Sequence, residues 1–228
     1  MTYDSIYEAV ADRHESGMGW EEHAHVGDEE SLNVAEEALG RHADSDETGL
    51  RIRDFERGET ETYTFAELAA AANRVSNYLI EHTERGDRVG AMLPTRLELY
   101  AVVFGTIQAG RIYLPLAPVF GPDALNYRLE DSGAAVLFTT SEGCEAVDGG
   151  LSALERVIAI DDGDGDDGTV DGIAAVAGDA TVDGYDAVRA CDDAFETVET
   201  HPNDPYSLTY TSGTTGPPKG VPTSHRGP

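Results

Sequence analysis

From Thr60 to Tyr210 the chain alternates short strand-patterned runs with helix-patterned ones, and few folds accept that order. Strands separated by helices imply a parallel sheet covered by helices, an α/β architecture in which ligands gather at the carboxyl ends of the strands. The runs can be placed individually. Asn33 to His42 reads as a short helix, and Leu50 to Phe55 alternates with a strand's period of two. The turn Arg57-Gly58-Glu59 then leads to a second strand at Thr60 to Thr64, which predicts a hairpin. Thr64-Phe65-Ala66-Glu67 is a capping box, and Phe65, Leu68, Ala72, Val75 and Leu79 follow at helical spacing to form one apolar stripe. Further strands are expected at 88–93, 112–116, 135–139, 156–160 and 206–210, with helices at 96–108, 123–129 and 185–195. Residues 1–30 read as a polar arm with scattered anchors at Ile6, Val10 and Trp20, residues 31–205 as the α/β body, and residues 206–228 as a strand with the loop that follows it.

That last loop holds the only lysine in the sequence, Lys219, within Tyr210-Thr211-Ser212-Gly213-Thr214-Thr215-Gly216-Pro217-Pro218-Lys219-Gly220. Glycines let main-chain N–H groups come close to an anion, Ser212, Thr214 and Thr215 add hydroxyl donors, and the ammonium adds a compact charge. The segment therefore has the chemistry of a phosphate grip. It is not a Walker loop, because Pro218 precedes the lysine and Gly220 follows it, where that template requires Gly and then Ser or Thr. The plainer alternative is a flexible surface turn rich in Gly, Pro and Thr.

At Leu208 to Lys219 the chain resembles, position by position, the ATP-phosphate signature of the AMP-forming adenylating enzymes, a superfamily that includes acyl-CoA synthetases. Gly220-Val221 and His225 also look like the family, in which a His opens the next helix. Asn33 to Leu39, Gly86 to Val89, Phe120 to Leu125 and Tyr127 to Gly133 resemble the acetyl-CoA and medium-chain acyl-CoA synthetase branch. The resemblance implies that Thr211, Ser212, Gly213, Thr214, Thr215, Gly216 and Lys219 hold the β and γ phosphates of ATP, with Mg2+ bridging oxygens. It implies a ligase that joins a short- or medium-chain carboxylate to CoA through an acyl-adenylate. The family's Tyr-Gly-x-Thr-Glu segment, its ribose-binding aspartate and its C-terminal lysine are absent from these residues, so no catalytic residue or protein metal ligand is assigned. The expectation is a front part of a synthetase, inactive by itself. Its alternatives are one polypeptide of a split enzyme, completed by a separate C-terminal chain, and a non-catalytic nucleotide-binding protein. Such a piece is also expected to leave a sheet edge or helix face open and to be poorly soluble.

Charge excludes other partners. With 44 acidic against 15 basic residues the formal charge is −29, which repels nucleic acid and anionic membrane. Acids scattered among apolar segments, together with the near loss of lysine, predict adaptation to a saline cytosol, where molar salt shortens the screening length to about 3 Å. Cys144 and Cys191 form no Cys-x-x-Cys pair, and the N-terminus is acidic, which predicts a cytoplasmic protein without structural zinc.

Three further groups have residue types suited to metal or acid–base chemistry. The aspartates 161, 162, 164, 166 and 167 resemble a calcium loop, but Asp167 stands where Gly is needed and Ile173 where Glu is needed. His23-Ala24-His25 lacks a third ligand nearby. His225 is read as a packing or helix-start residue ahead of an acid or base.

Overall fold

The structure is a computed structural model that describes residues 31–55, 58–160, 180–212 and 216–227. The polar arm, the aspartate-rich stretch at 161–167 and the pair His23 and His25 lie outside the described residues.

Helix α1 (Val34–Ala38) starts at Asn33, whose side chain accepts the Ala35 N–H at 3.0 Å, and continues into a 3-10 turn at Gly40–His42. The predicted hairpin follows as β1 (Thr48–Arg53) and β2 (Thr60–Thr64), paired antiparallel with Leu50 opposite Tyr63 and Arg53 opposite Thr60. Strand β1 starts earlier than periodicity placed it. Phe65 N–H donates to the Glu47 carbonyl, which extends the association past the alternating apolar run.

Helix α2 (Phe65–His82) has both bonds of the capping box: Thr64 Oγ1 accepts the Glu67 N–H at 3.1 Å, and Glu67 Oε2 accepts the Thr64 N–H at 2.8 Å. Its stripe buries Leu68, Ala72, Val75 and Leu79, with Phe65 half-buried at the edge.

The main sheet has seven strands, β3 (Arg88–Met92), β4 (Ile112–Pro115), β5 (Ala134–Thr140), β6 (Arg156–Ile160), β7 (Thr181–Gly184), β8 (Pro205–Thr211) and β9 (Lys219–Ser224). Their spatial order is β7-β6-β5-β3-β4-β8-β9, and every neighbouring pair is parallel except β8/β9. Helices α3 (Leu97–Gln108) and α4 (Pro122–Ser132) link the central strands, with short helices α5 (Ser141–Cys144) and α6 (Asp186–Arg189) further along. The α/β expectation is met.

Alternation along β5 divides the core in two. Val136 and Phe138 pack with Val75, Leu79, Ala101 and Val102 of α2 and α3, while Leu137 packs with Leu125 and Leu129 of α4 on the opposite face. The two helices on the first face approach closely at Gly105, where an added Cβ would stand 2.6 Å from the Ala72 carbonyl oxygen. Ser76 Oγ lies 3.0 and 3.1 Å from the carbonyl oxygens of Ala72 and Gly105 in that seam. Helix α4 ends at Gly133, in the left-handed region at φ +60.

Besides the earlier start of β1 and the short helix α5, three elements differ from the reading of the sequence. The helix expected over 185–195 is confined to Asp186–Arg189. Beyond it, Asn77 Nδ2 donates to the carbonyls of Asp192 and Ala194, and Asn73 Nδ2 to that of Asp193, so α2 holds 192–194 by their main-chain acceptors. Strand β7 was not anticipated. Its Asp183 accepts from Tyr78 Oη at 2.5 Å and from Arg156 Nη1 at 2.9 Å, partners that local propensity does not reveal. Strand β9 differs as well, since residues read as loop pair with β8 along its length. The outer edge is therefore β9 itself, which carries Pro222, a residue without a ladder donor, as edge strands commonly do. Among the described residues, no helix is long and apolar enough to cross a membrane.

Candidate phosphate-binding site

Strand β8 runs from a core-facing Leu208 to an exposed Thr211 at its carboxyl end, where the glycine- and hydroxyl-rich loop begins. Parallel sheets place ligands at this end of their strands. The chain returns as β9, with Tyr210 opposite Gly220 and Thr211 opposite Lys219. The candidate residues Thr211, Ser212, Gly216 and Lys219 are all exposed there, while Gly213, Thr214 and Thr215 lie outside the described residues. Gly216 takes φ +143, a backbone state closed to most side chains, and nothing stands within 4 Å of where its Cβ would be. The backbone is open to an approaching group at that point.

Lys219 makes no ion pair among the described residues, in contrast to arginines 41, 74, 85, 96, 156 and 189, each held by a carboxylate. An exposed, unengaged ammonium beside hydroxyl groups fits an anion such as phosphate. The described residues contain no group of three or more His, Cys, Asp or Glu that could hold a metal ion.

Helix α4 flanks the hairpin. Tyr127 Oη donates to the Pro218 carbonyl at 2.9 Å, and Tyr210 Oη donates to Asp131 Oδ2 at 2.6 Å. The two tyrosine rings meet edge-on at 6.3 Å. The Arg128 guanidinium lies 4.1 Å over the Phe120 ring and 5.7 Å from that of Tyr210. Burial, followed by the bond to Asp131, raises the Tyr210 pKa and keeps the phenol protonated. In the sequence Tyr127 and Asp131 belong to a family-like stretch that carries no site role. The helix expected over 123–129 stops short of Asp131, so the face the two share shows only once α4 extends to Ser132.

The structure makes His225 a packing residue. It is buried, lies in a turn directly after β9, and its Nδ1 accepts the Val34 N–H at 3.1 Å. Burial holds its pKa below the ordinary imidazole value. Cys144 is an unpaired thiol that burial pushes up to about 11, which makes it a poor nucleophile at neutral pH.

Residues 38–228 match the family described as AMP-binding enzyme. The chain belongs to that family. Its similarity lies with the acyl- and acetyl-CoA synthetase branch of the AMP-forming adenylating enzymes. It is 35% identical over 197 residues to the acetyl-coenzyme A synthetase of Bacillus subtilis (strain 168), a match that covers 83% of this chain and 32% of that protein. Among solved structures, the acyl-CoA synthetase of Brucella canis aligns with TM-score 0.71 and 28% identity over 86% of this chain and 34% of the other. ATP-bound MatB from Rhodopseudomonas palustris aligns with TM-score 0.61 and 25% identity over 86% of this chain and 35% of the other. The chain thus spans about a third of the length of these AMP-binding relatives.

Proposed function

We propose that this chain carries the ATP-phosphate grip of an AMP-forming acid:CoA ligase acting on a short- or medium-chain carboxylate, with ATP, Mg2+ and CoA as the other participants. One observation carries the reading: the only lysine of a strongly acidic chain is exposed, without an ion pair among the described residues, at the carboxyl end of a sheet strand beside Thr211, Ser212 and Gly216. Thr211, Ser212, Gly213, Thr214, Thr215, Gly216 and Lys219 are the proposed phosphate ligands. Their effect is electrostatic. Donors fixed before reaction stabilise charge moving onto departing pyrophosphate more than they stabilise bound ATP, and that difference lowers the barrier.

The same proposal has residues 206–228 acting as the phosphate-holding element on a body formed by 31–205. By themselves these residues bind the nucleotide without forming acyl-adenylate. Activity would need the downstream segments that the family uses for magnesium, ribose and the reacting carboxylate, whether on the same polypeptide or a separate one. A saline cytoplasm is part of the reading, supported by the charge of −29 and the unpaired cysteines.

Calorimetric titration of the purified chain with MgATP in concentrated KCl tests the grip. Saturable binding is expected, with no acetate-dependent pyrophosphate release. Absence of nucleotide binding overturns the grip, and acid-dependent pyrophosphate release overturns the statement that these residues are inactive alone.

A further inference from the structure

We propose that helix α4 is a positioning element for the phosphate loop, with Tyr127 and Asp131 holding the two stems of the β8/β9 hairpin and so fixing the direction in which Lys219 is presented. The inference rests on the reading of that loop as a phosphate grip.

The two anchors are one helical turn apart and share a face of α4. They reach opposite stems. Tyr127 takes the Pro218 carbonyl, the oxygen of the peptide group that leads directly into Lys219. Asp131 takes the hydroxyl of Tyr210, which precedes Thr211 on β8 and is the cross-strand partner of Gly220. The edge-on contact of the Tyr127 and Tyr210 rings joins the two attachments into one unit.

Several observations separate this arrangement from ordinary packing. Helix α4 is already seated on the sheet by Leu125 and Leu129, both fully buried, so it has no need of the hairpin for anchorage. The hairpin is the less secured partner: β9 is the sheet's outer strand, and four of its six residues, Lys219 to Pro222, are exposed. Lys219 itself touches no carboxylate among the described residues, so its backbone sets the direction in which its side chain leaves the strand. Fixing the 218–219 peptide plane fixes that backbone. A grip whose donors are held before the ligand arrives spends less of its interaction on ordering.

The test is hydrogen–deuterium exchange on the full 228-residue chain in concentrated KCl, comparing the unmodified protein with Tyr127→Phe and Asp131→Ala. Tyr127→Phe keeps the ring and loses only the donor, so it remains informative if Asp131→Ala folds poorly. Peptides covering 211–221 should exchange roughly 5-fold faster in Tyr127→Phe, the change in opening equilibrium expected from one lost neutral hydrogen bond. Peptides from α2 and β5 should be accelerated less than those over 211–221, and Tm should fall by no more than about 4 °C. Inorganic tripolyphosphate, titrated in parallel, should bind the variants roughly 3- to 10-fold more weakly. Unchanged exchange across 211–221 overturns the positioning role whatever the binding result. Acceleration spread over α4 and the whole sheet overturns it as well, since that is the mark of a merely structural contact. Failure of the unmodified chain to bind tripolyphosphate strikes the phosphate reading instead, while the exchange data still decide whether α4 holds the hairpin.

Discussion

Thr211 and Lys219 face each other across β8 and β9 as the last register pair before the loop, so the hydroxyl and the ammonium leave the sheet from adjoining strands. Residues 212–218 begin and end at that pair. A lysine placed by a ladder in this way differs from one on a free turn, because its backbone direction is set by hydrogen bonds before any ligand arrives.

Lys219→Ala should therefore weaken ATP binding with little effect on folding. Charge-assisted hydrogen bonds contribute about 1.5–3 kcal/mol, which corresponds to a loss of roughly 10- to 150-fold in affinity. The side chain is exposed and makes no ion pair among the described residues, so Tm should stay within about a degree. Titration calorimetry combined with a thermal melt checks both halves. An unchanged dissociation constant would remove Lys219 from the site.

Gly105→Ala should destabilise the protein through the crossing of α2 and α3. The new methyl would stand 2.6 Å from the Ala72 carbonyl oxygen and 2.7 Å from Val75 Cβ, contacts that backbone cannot absorb without moving the helices apart. Overpacking of this kind costs about 1–3 kcal/mol, and the better helix propensity of alanine recovers at most about 1 kcal/mol. Urea unfolding should show a lower midpoint with the same slope. A midpoint at or above the parent's would contradict the close crossing.

His225 gives the stability a pH dependence of defined sign. Its folded pKa is lowered by burial, so between that value and the unfolded value near 6.5 the unfolded chain binds a proton that the folded chain refuses. Stability is full above about 6.5 and declines as the pH falls through this window, by no more than about 1.4 kcal/mol per pH unit. The carboxylates Glu98 and Asp204, whose pKa values are lowered, act at more acid pH. Subtracting the pH profile of His225→Asn from that of the parent isolates the histidine, and a flat difference between about pH 5 and 7 would refute the assignment.

Salt should stabilise this chain. At a formal charge of −29 self-repulsion opposes compaction, and raising ionic strength from about 0.01 M to 1 M cuts the screening length from about 30 to about 3 Å. Thermal melts across a KCl series should rise by several degrees, with NaCl equivalent at equal ionic strength. A Tm that is flat or falling over the series would count against repulsion as the limiting term.

Local rules made the centre of this fold readable and tertiary contacts obscured its margins. Thr64 and Glu67 announce a helix start through bonds to their own neighbours, and β3 to β6 show as apolar runs because the sheet is covered on both faces. The ends of the sheet carry no such signature. Strand β7 is held through Asp183, a poor strand former bound by Tyr78 and Arg156, and β9 contains Pro222, which argues against a strand anywhere but at an edge. The site divides in the same way. Lys219 and its hydroxyl neighbours were legible from residue type alone, whereas Tyr127, distant in sequence and bonded to a main-chain carbonyl, could be located only once α4 and β9 stood side by side.

The bond from Val34 N–H to His225 Nδ1 spans 191 positions and has a consequence for synthesis. A ribosome releases Val34 early, yet the imidazole that secures it emerges only after nearly the whole sheet has been made. This bond at the head of α1 therefore closes only after β1 to β9 have been made, whereas Leu39, packed with Leu68 and Ala72 of α2, is held by residues that emerge far sooner.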